Sequence, residues 1–189
     1  MIHIIRHKIV RNFALLSMAL CIIGFSAGSV AHAQPYGKGT FGADVPYGSQ
    51  TSLSIATGGN VSIQITPDDN AVLGTGTNLV TVTSTDVVGY SLYIRSLTSS
   101  NMTNGPAVLP ASGNAVPGAL SANTWGYNSN LSPTNFVGMT TANVLVKSGT
   151  GPFTAGDPTT FTYGVKIDNE KPAGNYVTSV VYTAAPQTD

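Results

Sequence analysis

The chain has 189 residues, 42% of them hydrophobic and only 8% charged, with eight basic and eight acidic side chains. That length allows one ordinary domain with a real core. A formal charge of zero offers nothing that would draw the chain to nucleic acid or to an anionic membrane.

The first stretch reads as a secretory signal peptide, residues 1–33. Arg6, Lys8 and Arg11 form a basic start, Phe13–Phe25 an apolar run, and Ala31-His32-Ala33 a small-x-small cleavage site. Cleavage falls between Ala33 and Gln34. The competing reading is an uncleaved anchor, but the apolar run is short for a span of about 20 residues. Met18-Ala19-Leu20 makes a poor lipidation signal before Cys21. The expected product is secreted, extracellular or attached to the cell envelope, and free of the membrane after cleavage.

Cys21 and all three histidines (His3, His7, His32) lie in this leader. Residues 34–189 therefore have no His-based triad, no Cys nucleophile and no His/Cys metal site. They have no disulfide either, so packing and strand pairing must hold the fold. The reading is of a non-enzymatic chain that needs no cofactor.

Residues 34–50 are rich in Gly, Pro and Tyr, show no clear periodicity, and read as an extended tail. Residues 51–185 read as one domain, and residues 186–189 as a C-terminal tail. Thr51–Thr57 and Val61–Thr66 alternate apolar and polar residues around Gly58-Gly59-Asn60. They predict two short strands, or one strand with a bend. Leu79–Ser84 and Tyr90–Ser96 are the next strands. Leu97–Ala122 is a long Ser/Asn/Gly/Pro-rich excursion, of a length usually functional or mobile. Asn123–Asn128 holds Trp125, Ala142–Lys147 is another strand, and Ser148–Pro158 another loop.

Phe161–Ala184 is the strongest pattern. Phe161, Tyr163, Val165 and Ile167 alternate with Thr162, Gly164, Lys166 and Asp168, and a second β-rich run covers Asn175–Ala184. The two runs predict a hairpin with a long loop, its second strand central in the domain. The whole predicts an all-β fold, an antiparallel β-sandwich of roughly seven to nine short strands.

Three segments carry a resemblance: Thr85–Ser96, Asn123-Thr124-Trp125-Gly126-Tyr127, and Thr162–Asp168 followed by Pro172-Ala173-Gly174-x-Tyr176 and Val180–Ala184. In this order they resemble exported β-sandwich surface proteins of Saccharibacteria-like, reduced-genome bacteria. More distantly, residues 50–184 resemble the WxL domain of Gram-positive surface proteins, which implies an Ig-like fold and a cell-wall location. Here Trp125 is followed by Gly126-Tyr127 where WxL domains carry Trp-x-Leu.

Candidate sites are few. Asp68-Asp69-Asn70 offers oxygen ligands for Ca²⁺, or simply a capped turn after Pro67. Trp125 and Tyr127 are the binding candidates, because aromatic faces stack on sugar rings. Trp125 reads as core or as such a platform, and Tyr127, in a polar setting, as the more exposed ring. Lys147 or Lys166 joined to an Asn would form an internal isopeptide bond, given a buried acid beside the pair. The functional expectation is a structural or adhesive surface protein whose partners are wall or surface glycans or other surface proteins. A second expectation is a self-associating fibre or surface-layer subunit that adds its residue 34–50 tail to a neighbour's sheet edge. A third is a carbohydrate-binding module. Function is expected in the Leu97–Ala122 excursion or in the N-terminal tail.

Overall fold

The structure is a computed structural model and describes residues 51–187. The leader, the Ala33/Gln34 cleavage site and the tail at residues 34–50 lie outside the described residues. The described chain is all-β and antiparallel, with no helix.

Its strands are β1 (Ser52–Thr57), β2 (Val72–Thr85), β3 (Gly89–Ser96), β4 (Met102–Asn104), β5 (Ala107–Leu109), β6 (Gly118–Ala119), β7 (Thr124–Asn128), β8 (Asn135–Phe136), β9 (Val144–Thr150), β10 (Asp157–Ile167) and β11 (Val180–Gln187). Period-2 burial explains the long ones. On β2, Asn78, Val80, Val82 and Ser84 are buried, while Leu79 between them is exposed. On β3, Tyr90, Leu92, Ile94 and Ser96 are all buried. The short β4, β5 and β6 fall within the stretch read as an excursion. That stretch is also tied down, with Leu109 and Leu120 in the core.

β1, β2, β10 and β7 form one sheet in that order, and β11, β3 and β9 form a second. Val80, Val82, Phe161, Tyr163 and Val165 of the first sheet share one buried cluster with Tyr90, Leu92 and Ile94 of the second. Burying each such side chain contributes roughly 1.5–3 kcal/mol.

The expected hairpin at Phe161–Ala184 does not form. β10 pairs with β2 and β7, and β11 pairs with β3 in the other sheet. The two strands meet through their side chains: the rings of Phe161 and Tyr182 lie 5.0 Å apart, and the Tyr163 and Tyr182 hydroxyls are hydrogen-bonded. The reason lies on β10. Both of its faces are buried, including Thr162 and Gly164 on the side expected to face water. A strand with two apolar neighbours takes a central place, and β11 becomes the edge of its sheet instead of the centre.

The back of β10 is covered by Phe136. Gly164 pairs in register with Gly126 of β7, and the two glycines make a flat seat for that fully buried ring. A Cβ on Gly164 would come within 2.6 Å of the Phe136 ring, and one on Gly126 within 2.5 Å of the Val137 carbonyl oxygen. Gly inside a strand often marks such a close approach.

Candidate functional site

Val61–Thr66 is the segment that departs most from expectation. It joins no ladder. Among the described residues no backbone hydrogen bond joins it to another segment. Its alternation survives nonetheless: Val61, Ile63 and Ile65 are half-buried against the core, and Ser62, Gln64 and Thr66 are exposed.

The local chemistry explains the detour. β1 pairs with β2 as far as Thr57 and Val80. Gly58 then donates its N–H to the Leu79 carbonyl, and Asn78 accepts from the Gly58 N–H and donates to the Gly59 carbonyl. Asn78 thus pins a bend at the Gly-Gly pair. Beyond it the chain leaves the β2 edge and lies over that strand's inner face. The room comes from two glycines. A Cβ on Gly74 would sit 2.5 Å from Ile65, and one on Gly76 2.6 Å from Val61. Val61–Thr66 has therefore crossed to the inner side of β2, the side that β11 and β3 also face. Bends of this kind are where strands switch sheets.

Val61–Thr66 does not reach β11. A cleft of about 720 Å³ lies between them. One wall is Val61, Ile63 and Ile65. The other is Asn175 to Val180 together with Tyr182. The floor includes Leu109, Val165, Ile167 and the Tyr163–Tyr182 pair. On the second wall Val177 exchanges both backbone bonds with Thr103, and the Ser179 carbonyl accepts from Leu97. Those bonds leave on one side, and β3 takes one edge of β11. Among the described residues no strand is hydrogen-bonded to the other edge, although β1 comes close to β11. Sequence reasoning missed the cleft. The available signal was the Gly-Thr-Gly run at Gly74–Gly76, too small to cover the core itself.

The aromatic candidates are elsewhere in character. Trp125 is fully buried, and its indole N–H donates to the Ser100 carbonyl at 2.9 Å. Tyr127 was expected to present an exposed ring; it is only 4% exposed and pairs with Val137 through its backbone. Its position on β7, sandwiched between β10 and the Val137 bridge, explains the burial. A stacking platform needs an open ring face, and neither residue offers one. Asp68 accepts from the Asn70 N–H at 2.8 Å, and Asp69 accepts from the Asn169 amide at 2.5 Å. The Asp68 oxygen closes its own turn, and the Asp69 oxygen ties that turn to the distant one at Asn169. Among the described residues no group of three or more His, Cys, Asp or Glu could hold a metal ion.

Lys147 makes an ion pair. Its ammonium lies 2.6 Å from Asp157, linking β9 to β10, and the Tyr90 hydroxyl donates to the same carboxylate at 2.7 Å. Burial works to raise the Asp157 carboxyl. The hydrogen bonds from Lys147 and Tyr90, with the Lys147 charge, outweigh it and hold the group below its ordinary value. A carboxylate lowered on folding stabilises above its unfolded value of about 3.9, and that stability is lost as pH falls through the folded value. Lys147→Met is therefore expected to cost about 1 kcal/mol at neutral pH, since water partly screens the pair. The gap from the natural chain should close as pH falls through the lowered folded value of Asp157. Urea unfolding across the acid range measures it; a gap that does not change with pH would show that charge is not its source.

The phenols set the alkaline limit. Burial raises Tyr90, helped by the Asp157 hydrogen bond and charge. Burial also raises Tyr127, Tyr163 and Tyr182. At Tyr182 the hydrogen bonds of Tyr163 and Asn78 oppose it only in part. A raised phenol stabilises below its unfolded value of about 10 and loses that contribution as pH rises further. Stability is expected to fall above about pH 10, and thermal melts from neutral to strongly alkaline pH check it; an unchanged melting temperature there would contradict the burial of these rings.

No family model, no curated protein and no solved structure matches the chain.

Proposed function

We propose that this chain is an exported, non-enzymatic protein of the cell envelope with a structural or adhesive role. Its two sheets stack as a β-sandwich. It meets its partner by taking an extended strand into the cleft between Val61–Thr66 and β11. One observation carries this reading: among the described residues, neither Val61–Thr66 nor the outer edge of β11 makes a backbone ladder with another strand across the cleft. Unpaired N–H and C=O groups on a strand edge are a template for another strand. Main-chain bonds then supply affinity, and pockets for alternate side chains supply selectivity.

Export is supported by the leader at residues 1–33, with its basic, apolar and small-x-small parts in order. The envelope role is supported by the resemblance of residues 50–184 to exported surface proteins. Burial of Trp125 and Tyr127 removes the feature that favoured a carbohydrate-binding module.

The test is hydrogen exchange with and without an extended peptide of alternating apolar and polar residues. The amides of Val61–Thr66 and of the outer edge of β11 are expected to slow by about tenfold or more on binding. Unchanged exchange at saturating peptide would overturn the reading.

A further inference from the structure

We infer that the Tyr163–Tyr182 hydroxyl pair is the polar anchor of the cleft, and that the strand taken there carries a neutral amide side chain, Asn or Gln, at the inward position over that pair. This rests on the strand-accepting reading above and names what the accepted strand must present.

Each phenol has one O–H to donate and lone pairs that accept. The bond between the two hydroxyls uses one O–H, whichever residue gives it. Asn78 meets the pair as a donor. Its amide nitrogen donates to the Gly59 carbonyl and to the Tyr182 oxygen, while its own oxygen takes the Gly58 N–H. Among the described residues, no further acceptor is bonded to the second O–H of the pair. Both phenols line the cleft, and Tyr163 is only 6% exposed. Ile63, Val165 and Ile167 line the same cleft with side chains that accept nothing. Burial raises both phenols, so the group presented at neutral pH is an uncharged O–H donor.

Strand geometry fixes the kind of group that reaches this donor. The backbone N–H and C=O groups of an accepted strand point sideways, toward its neighbours in the sheet, and alternate side chains point to the floor. The acceptor over the pair must therefore be a side chain. None of the described residues lining the cleft is charged. A carboxylate there would lose its water with no cation beside it. A neutral amide suits both phenols: its C=O accepts the spare O–H, and its NH2 donates to a phenol oxygen. An aliphatic side chain at that position leaves the O–H buried and unpaired. A site that keeps such a donor selects against apolar ligands.

Calorimetric titration and hydrogen exchange test this with three synthetic peptides of alternating Val and Thr. The peptides differ only at the central Val, which is kept, replaced by Asn, or replaced by Asp. The Asn peptide is expected to bind the natural chain about tenfold or more tighter than the Val peptide, and the Asp peptide more weakly than either. In a double variant, Tyr163→Phe with Tyr182→Phe, the order should reverse to favour Val. Removing both partners of a hydrogen bond costs a fold little, so the variant is expected to fold, and circular dichroism checks it. If it does not fold, the ranking of the three peptides on the natural chain decides alone. Equal binding of the Val and Asn peptides, or a preference for Asn that survives in the double variant, would overturn the anchor while strand acceptance stands. Protection of Val61–Thr66 by none of the three peptides would overturn both.

Discussion

Trp125→Ala is expected to destabilise the chain by about 3–5 kcal/mol, the range for removing a large buried aromatic. Trp125 is fully buried on β7, and its indole N–H is bonded to the Ser100 carbonyl. The substitution therefore opens a cavity and strips the Ser100 carbonyl of a donor. Trp125→Phe keeps most of the volume and should cost less, chiefly the lost hydrogen bond at about 1 kcal/mol. Urea unfolding followed by circular dichroism measures both. This is the only tryptophan of the chain, so its emission in the natural protein should be that of a dry indole and shift to the red on unfolding. A cost below about 1 kcal/mol, the level of a surface change, would place the ring in solvent and restore it as a sugar platform.

Gly164→Val is expected to be nearly as damaging, for the opposite reason. Gly164 and Gly126 face each other across β10 and β7, and Phe136 lies over them. A Cβ on Gly164 has no space, since three ring atoms of Phe136 would be within 2.8 Å. Overpacking of a tight core costs typically about 1–3 kcal/mol, and a branched side chain should reach the upper end. Gly164→Ala should cost less, offset in part by about 0.4–1 kcal/mol from a stiffer unfolded chain. Combining Gly164→Ala with Phe136→Leu should cost less than the sum of the two, because a smaller neighbour makes room. Strict additivity would mean that the ring does not sit on the glycine.

The pair shows where the sequence was legible. The alternation Phe161, Tyr163, Val165 announced a strand whose inner face enters the core, and it does. Gly164 and Thr162 looked like the exposed side, because a glycine carries no sign of what lies on it. Phe136, distant in sequence and preceded by the polar Thr134-Asn135, supplies the cover. That hidden cover is why β10 is central and why the hairpin with β11 is replaced by contact between sheets. Nor does periodicity alone name a strand's partner.

Val61–Thr66 teaches the converse. Its alternation predicted a strand, and the side chains alternate as expected. The ladder is missing because Asn78 fixes a bend at Gly58-Gly59 and because Gly74 and Gly76 let the segment lie across a face. The Asn78 contact spans 20 residues of chain, and the glycine contacts also lie outside the segment, beyond the reach of a local pattern. The cleft follows from them, so the candidate site was not legible either. Trp125 was readable as core from its type. Tyr127 was not, since its Asn and Ser neighbours suggested water while the Val137 bridge and β10 enclose it.

Cell fractionation with N-terminal sequencing tests most directly whether this is an exported envelope protein. The protein is expected in the medium or wall pool, beginning at Gln34. A chain found in the cytosol and still carrying Met1 would contradict export and, with it, an envelope role.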